Sequence, residues 1–433
     1  MARVSRDRLA SWSVFVIAIV GSFVVASIDL GFDLDWRGMN IWRTFAGVAL
    51  AGSLAWAARG TRRRATTDYR QDMYLLREPG QSMWAVIVVV ALLLVPFALA
   101  SGFDPPMDYP WSSWFKVLNI AIMFAVGGAA FNLLVGYAGQ ISFAHAAFLV
   151  LGTMVSGTLG PVWGWPYPVA IGVATLSGAL IGVIVGLPAL RLRGLYLLLA
   201  TLGVHFVFVL AWSKWLLRYF GFDSVRFEDP VIPTWLHWLP FINPEDGVFA
   251  LDSDFRWYWV IMPVCTAALI VMVNVVRTRE GRAFAAVRQH DISASLIGIN
   301  VARSKLLAFA LSSAFVAMVG AMGSYYIGVR GEDSFPLLIV LDYSIIIVVG
   351  GFSSIQGAIF GSFFFFGGKE FSGWIRAEVW GIRDVDWIQT NGPALDLAVF
   401  GALVVAVLVL KPDGLTGFWK DVKGWFAKWP YSV

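Results

Sequence analysis

The sequence predicts an all-α protein, a polytopic transmembrane bundle of about twelve helices, and no fewer than about ten, with broken or re-entrant segments. Three observations predict it. Of 433 residues, 58% are hydrophobic and 14% charged, where a soluble globule carries about 25% charged residues. The apolar residues fall into long runs, and lipid tolerates only segments that satisfy their own backbone hydrogen bonds. The basic residues gather on one side of the alternating loops, as they do when positive loops stay in the cytoplasm.

The candidate spans lie at residues 9–30, 39–58, 83–102, 113–135, 141–160, 166–189, 195–217, 257–276, 305–328, 335–350, 354–371 and 393–411. Val24 and Ala26 make a small-residue pattern after a basic start. The first run is nevertheless long for a signal h-region, so it is expected to remain as a span. Arg59, Arg62, Arg63, Arg64, Arg70 and Arg77 crowd one loop, Arg277 to Lys305 form a second basic segment, and Lys411, Lys420, Lys423 and Lys428 mark the tail. This places both termini in the cytoplasm. The largest outer loop, 218–256, is acidic and rich in Trp and Pro, which suits either a solvated loop or contact with an external partner.

Several chemistries are excluded. The single cysteine, Cys265, allows no disulfide framework, and no His or Cys cluster has metal-ligand spacing. Gly368-Lys369 is followed by Glu370 and lacks the upstream glycine of a phosphate-binding loop. The sequence is thus read as having no metal, cofactor or nucleotide site, and it does not suggest an enzyme. A net charge of +4 gives no reason to expect nucleic acid.

Two segments between spans combine glycines with polar side chains. Gly136, Gly139, Gln140, Ser142 and His145 lie in the first, and Gly350, Gly351, Ser354 and Gln356 in the second. At an offset of 212 residues Gly139 matches Gly351, Ser142 matches Ser354, Ala146 matches Ala358 and Phe148 matches Phe360. Paired helix breaks at corresponding positions point to a translocation pathway, because irregular backbone at membrane depth survives only where it lines a cavity or is buried in protein. The alternative is that small residues merely allow close helix packing. Asp342 in the tenth span and His205 in the seventh are each either pathway residues or packing residues with a partner.

Residues 277–305 read as helix, turn, helix. Gly281 starts the segment, Ala283, Phe284, Ala286 and Val287 form an apolar stripe at helical spacing, and Gly298 ends it before Asn300. A short amphipathic helix of this kind either docks onto a cytoplasmic protein or lies passively in the interface.

Four stretches carry a family resemblance: FNLLVGYAGQISFAHAAF at 131–148, LPALRLRGLYLLLATLG at 187–203, GRAFAAVRQHDISASLIGINVARSKLLAFALSSAFVAMVGAM at 281–322 and VVGGFSSIQGAIFGS at 348–362, followed by PDGL at 412–415. In this order they resemble the permease subunits of bacterial branched-chain amino acid ABC importers, the longer of the two permease types. The resemblance implies an N-terminal extension over residues 1–110 with about three spans, a permease core over 111–415 containing a coupling loop at 277–305, and a cytoplasmic tail over 416–433.

It further implies a multi-pass protein of the bacterial inner membrane that forms half of a solute pathway. A second permease, two cytoplasmic ATPases that hydrolyse the ATP and an external solute-binding protein complete such a machine. The coupling residues would be Gly281, Arg282, Arg288, Asp291, Ala294, Gly298 and Asn300. The chain departs from the family pattern at Leu195, where an acidic residue often follows the glycine, and in lacking a Gly-rich motif over 218–233. The solute is therefore left between branched-chain amino acids and related small polar molecules. The alternative from another class is a self-contained proton-coupled carrier or channel, with Asp342 or His145 as the proton site.

Overall fold

The structure is a computed structural model whose described residues are 111–192, 194–212, 214, 224–227, 254–331, 334–374, 386–419 and 421. The first three candidate spans, the loop from Arg59 to Arg77, most of the outer loop and the end of the tail lie outside them. Apart from Trp111, every described residue belongs to one compact unit, Ser112–Val231 with Ala250–Val433. The other unit, Met1–Trp111 with Ile232–Phe249, has no further described residue.

Helix α1 spans Trp111–Asn132 and widens into a π-helical turn, Leu133–Tyr137. Helix α2 spans Ala144–Gly157 and ends in a second such turn, Thr158–Val162, which contains Pro161. Helix α3, Tyr167–Gly186, starts beside Pro166 and Pro168, where a missing N–H costs nothing. Helix α4 is Leu195–Leu210 and α5 is Asp254–Arg277. On the expected cytoplasmic side follow α6, Arg279–Gln289, and α7, Asp291–Leu296. Helix α8 spans Val301–Ile327, with the Asn300 side chain accepting the Arg303 N–H (3.0 Å) as its N-cap. Helix α9 is Leu338–Gly350, α10 is Ile355–Trp374 and α11 is Asp386–Leu410.

The all-α polytopic bundle is as expected, with one small addition. Strands β1, Ser224–Arg226, and β2, Val329–Gly331, form an antiparallel ribbon with Val225 opposite Arg330. It ties the segment after α4 to the end of α8.

The described residues hold five helices long and apolar enough to cross a membrane, six if one bent pair counts as a span. Helices are observed at the expected positions 335–350 and 354–371, arranged as the kind of broken or re-entrant pair that the sequence predicts. Helices α9 and α10 are bent by 115° at their break. The 13 residues of α9 reach only about 20 Å at 1.5 Å each, short of a hydrocarbon core of about 30 Å. Gly351, at φ 125°, ends α9 in a conformation that a side chain would oppose.

Helix α8 is the centre of the core. Along α3, Ala170, Ala174, Gly178, Gly182 and Gly186 recur every fourth residue, and all are buried. A Cβ at Gly178 would lie 2.7 Å from the Ser313 carbonyl oxygen, and one at Gly186 3.1 Å from Phe309 Cβ, both on α8. Helix α2 approaches α8 as closely, along an adjoining strip that shares Ala317: a Cβ at Gly152 would strike the Ala317 carbonyl, and one at Gly320 the Leu149 carbonyl. Lipid supplies no hydrophobic drive between helices, so backbone approach of this kind and interhelical hydrogen bonds hold the bundle. Thr153 Oγ1 donates to the Gly320 carbonyl (3.2 Å) and lies 2.6 Å from Ser324 Oγ.

Candidate functional site at the two helix breaks

The first break begins where α1 loosens into its π-helical turn, with the Gln140 N–H donating to the Leu134 carbonyl (3.1 Å). The chain then reverses through Gly139, at φ 70°. Ser142 Oγ accepts the Ala144 N–H (3.2 Å) at the start of α2, while Thr201 Oγ1 of α4 accepts the Phe143 N–H (2.9 Å). The second break repeats this chemistry at the matching positions. Gly351 makes the reversal, and Ser354 Oγ accepts the Gly357 N–H (3.1 Å) to cap α10. The 212-residue offset therefore relates two glycine turns and two serines that accept first-turn N–H groups, Ser142 two residues on and Ser354 three, and each break frees backbone groups that need partners from elsewhere.

The two breaks supply those partners to each other. Asn132, fully buried at the end of α1, donates through Nδ2 to the carbonyls of Gly351 (3.2 Å) and Ser354 (2.9 Å) and accepts the Ser353 N–H at Oδ1 (2.9 Å). Ser353 Oγ donates to the Gly136 carbonyl (2.6 Å). A Cβ at Gly136 would lie 2.9 Å from Ser353 N and collide with the Asn132 amide, so only glycine admits the second break so closely. Ser353 itself has φ 56°, a left-handed backbone that a non-glycine residue holds only when its surroundings enforce it. The PDGL turn closes the far side: a Cβ at Gly414 would lie 2.6 Å from the Val349 carbonyl and 2.9 Å from Gly351 N.

Arg288 of α6 reaches the same point from the basic loop. Its Nη1 donates to the Gly136 carbonyl and to Ser353 Oγ. Its stem packs over Gly139, where a Cβ would lie 2.9 Å from Arg288 Cγ. A second connection runs through α8. Lys305, largely buried, pairs with Asp291 of α7 (2.8 Å), and its carbonyl accepts from Gln140 Nε2 (3.4 Å). Gln140 Oε1 is buried without a hydrogen-bond partner among the described residues.

The other candidates lie around this cluster. His145 is buried, and its Nε2 donates to the Gly127 carbonyl (3.0 Å); a carbonyl only accepts, so Nε2 carries the proton. Its ring centroid lies 4.8 Å from that of Phe131 and 4.9 Å from that of Tyr343, wedging α2 between α1 and α9. His205 is buried on α4 one turn beyond Thr201, with Nδ1 lacking a partner among the described residues. Asp342 is half-buried on α9, within electrostatic reach of Lys369 on α10, and Gln356 is exposed at the start of α10.

In the basic loop, Gly281 is buried at the α5–α6 corner against the Val276 carbonyl, and Arg282 Nη1 donates to the Arg277 carbonyl (3.2 Å). The apolar stripe points inward: Phe284 joins Leu133, Leu134, Ala138, Leu197, Ala308 and Phe309 in one cluster. Ala294 is also buried, and Gly298 is exposed at the turn into α8. What faces outward is Ile292, Leu296 and Ile297, exposed by 62%, 82% and 74%. The α6 stripe, one reading of which is a docking face, is instead used up beneath the first break, and the exposed aliphatic side chains of the segment are those of α7 and the turn after it.

Sequence reasoning missed Asn132, Thr201, Ser353 and Lys305. Asn132 alone carried a signal: a carboxamide inside an apolar span demands a partner.

The sequence model of the family described as "Branched-chain amino acid transport system / permease component" matches residues 113–408. The high-affinity branched-chain amino acid transport system permease protein LivM of Escherichia coli K12 is 23% identical over 356 residues, covering 77% of this chain and 75% of its own length. The LivH permease protein of the same-named system in that strain is 22% identical, covering 70% of this chain and 94% of its own. The xylose transport system permease protein XylH of Escherichia coli K12 is 34% identical over 126 residues, 27% of this chain and 31% of its own. No solved structure matches. With the family match running from α1 into α11, the chain belongs to the family of permease components of branched-chain amino acid transport systems.

Proposed function

We propose that this multi-pass transport subunit forms half of the pathway of an ATP-driven importer in a bacterial inner membrane, with both termini in the cytoplasm. The solute is a branched-chain amino acid or a related small polar molecule. Both LivM and LivH, two permeases of one similarly named system, resemble this chain, which supports pairing with a second, related permease. An external binding protein delivers the solute, and two separate ATPases supply the energy.

The observation that carries this proposal is the α6–α7 segment. Its inner face packs under the first break, while α7 turns Ile292, Leu296 and Ile297 outward. Exposed aliphatic residues on a charged loop are costly in water and are explained by a protein partner. A self-contained carrier or channel has no use for them.

Ile292→Asp combined with Leu296→Asp is expected to cut ATPase co-purification by more than about tenfold, since each variant places a charge in an apolar contact. The chain should still insert, because neither side chain is buried. Undiminished co-purification would sink the importer assignment. Gln140→Leu separates pathway from packing at the first break. Removing a half-satisfied buried amide should leave expression intact, so altered uptake kinetics would place Gln140 in the pathway and unchanged kinetics would make it a packing residue.

A further inference from the structure

We propose that Arg288 is the positioning residue through which movement of the α6–α7 segment reaches both helix breaks at once, with Ser353 as its receiving group. The inference rests on the assignment of that segment as the ATPase-docking element.

Three features single out this contact. Arg288 is exposed on the basic loop, yet its guanidinium is bonded to the Gly136 carbonyl of the first break and to Ser353 Oγ of the second. These partners are themselves joined, since Ser353 Oγ also donates to the Gly136 carbonyl (2.6 Å) and the Ser353 N–H is held by Asn132 (2.9 Å). The three groups form a closed triangle, so Arg288 cannot shift without disturbing both breaks. Finally, the receiving residue is strained: Ser353 has φ 56°, outside the range a serine prefers.

A segment with two arrangements needs an element whose equilibrium can be tipped, and a strained residue held by a removable cation is such an element. With the guanidinium in place, the left-handed Ser353 is enforced and the breaks stay locked. When α6 is displaced, that hold is lost and the loop between α9 and α10 can relax. Both bonds leave from Nη1, whose two hydrogens are fixed in the guanidinium plane, so the two acceptors are met at a set geometry that a freely rotating lysine ammonium does not impose.

The test compares Arg288→Ala, Arg288→Lys and Ser353→Gly in the assembled complex, reading ATPase co-purification, solute-stimulated ATP hydrolysis and uptake. Glycine at 353 removes the hydroxyl while accepting the positive φ, so this variant should be as stable as the wild type or more so. Arg288→Ala and Ser353→Gly are expected to co-purify with the ATPases normally, yet to lower uptake about tenfold or more, the scale of one charge-assisted hydrogen bond. Hydrolysis should continue but no longer respond to solute. Arg288→Lys should fall between Arg288→Ala and the wild type. Normal uptake and stimulation in Ser353→Gly would overturn the inference, as would loss of co-purification in a well-folded Arg288→Ala, which would make Arg288 a docking residue. Failure of the wild-type chain to bind any ATPase would instead remove the docking assignment itself.

Discussion

Replacing Gly182 by leucine is expected to abolish the folded, monodisperse protein, while the same replacement at Gly172, ten residues earlier on the same helix, leaves it intact. Leucine gains roughly 0.8–1 kcal/mol of helix propensity over glycine at either position. At Gly172 a Cβ meets nothing within 4 Å, so that gain stands alone. At Gly182 a Cβ would collide with Ser313 Oγ and lie 3.2 Å from the Phe309 carbonyl oxygen. The remainder of the side chain has no room, because Gly178 and Gly186 hold α3 against α8 on either side. Overpacking costs roughly 1–3 kcal/mol when neighbours can give, and more when the obstacle is backbone. Size-exclusion profiles and thermal melts of the two variants in detergent would check this. Equal stability would mean that the α3–α8 seam is not the core contact.

The second large effect is expected at Asn132. Its carboxamide makes three hydrogen bonds across 219 to 222 residues of chain, and the residue is fully buried. Asn132→Leu keeps the approximate volume but removes the donor to the Gly351 carbonyl and the acceptor of the Ser353 N–H, at about 1–3 kcal/mol for each orphaned group, while the Ser354 carbonyl keeps the Ala358 N–H (3.2 Å). Asn132→Asp is the sharper variant. It is nearly isosteric and keeps an acceptor for the Ser353 N–H, but it sets carboxylate oxygens against the Gly351 and Ser354 carbonyls. Both variants should lower the yield of folded protein severalfold, with Asp at least as damaging as Leu. A tolerated Asp would show that shape, not hydrogen bonding, joins the breaks.

These two sites differ in how visible they were beforehand. The α3 stripe is local: small residues every fourth position are legible as a face for close packing, although only the structure shows that α8 fills it. The breaks were legible for the same reason. Gly139 and Gly351 mark reversals, and Ser142 and Ser354 stand just before the helices that follow, where a serine can accept an N–H of the first turn. Asn132 announced a need for partners without naming them, since a polar group in an apolar span says only that something must satisfy it. Ser353 announced nothing, its positive φ being imposed from outside.

The apolar stripe of α6 gives the converse lesson. Helical spacing correctly separates Ala283, Phe284 and Val287 from their charged neighbours, and all three are buried. Periodicity does not say whether such a face meets the protein's own core or a partner. The answer depended on the hydrophobic underside of the first break, which Leu133, Leu134 and Ala138 provide.

By itself, then, the sequence determined that lipid is the solvent, roughly where the described part of the chain forms apolar helices, and where two helices must break, because run length and the placing of glycines and serines all act within a few residues. Only the tertiary structure decided that α9 and α10 form one bent pair, that the two breaks bind each other through Asn132 and Ser353, and that Arg288 reaches both. Those pairings join groups 65 to 222 residues apart, and nothing local encodes which buried polar group meets which. Close packing of α2, α3 and α8 fixes the distances, and the need to satisfy every buried backbone group does the rest.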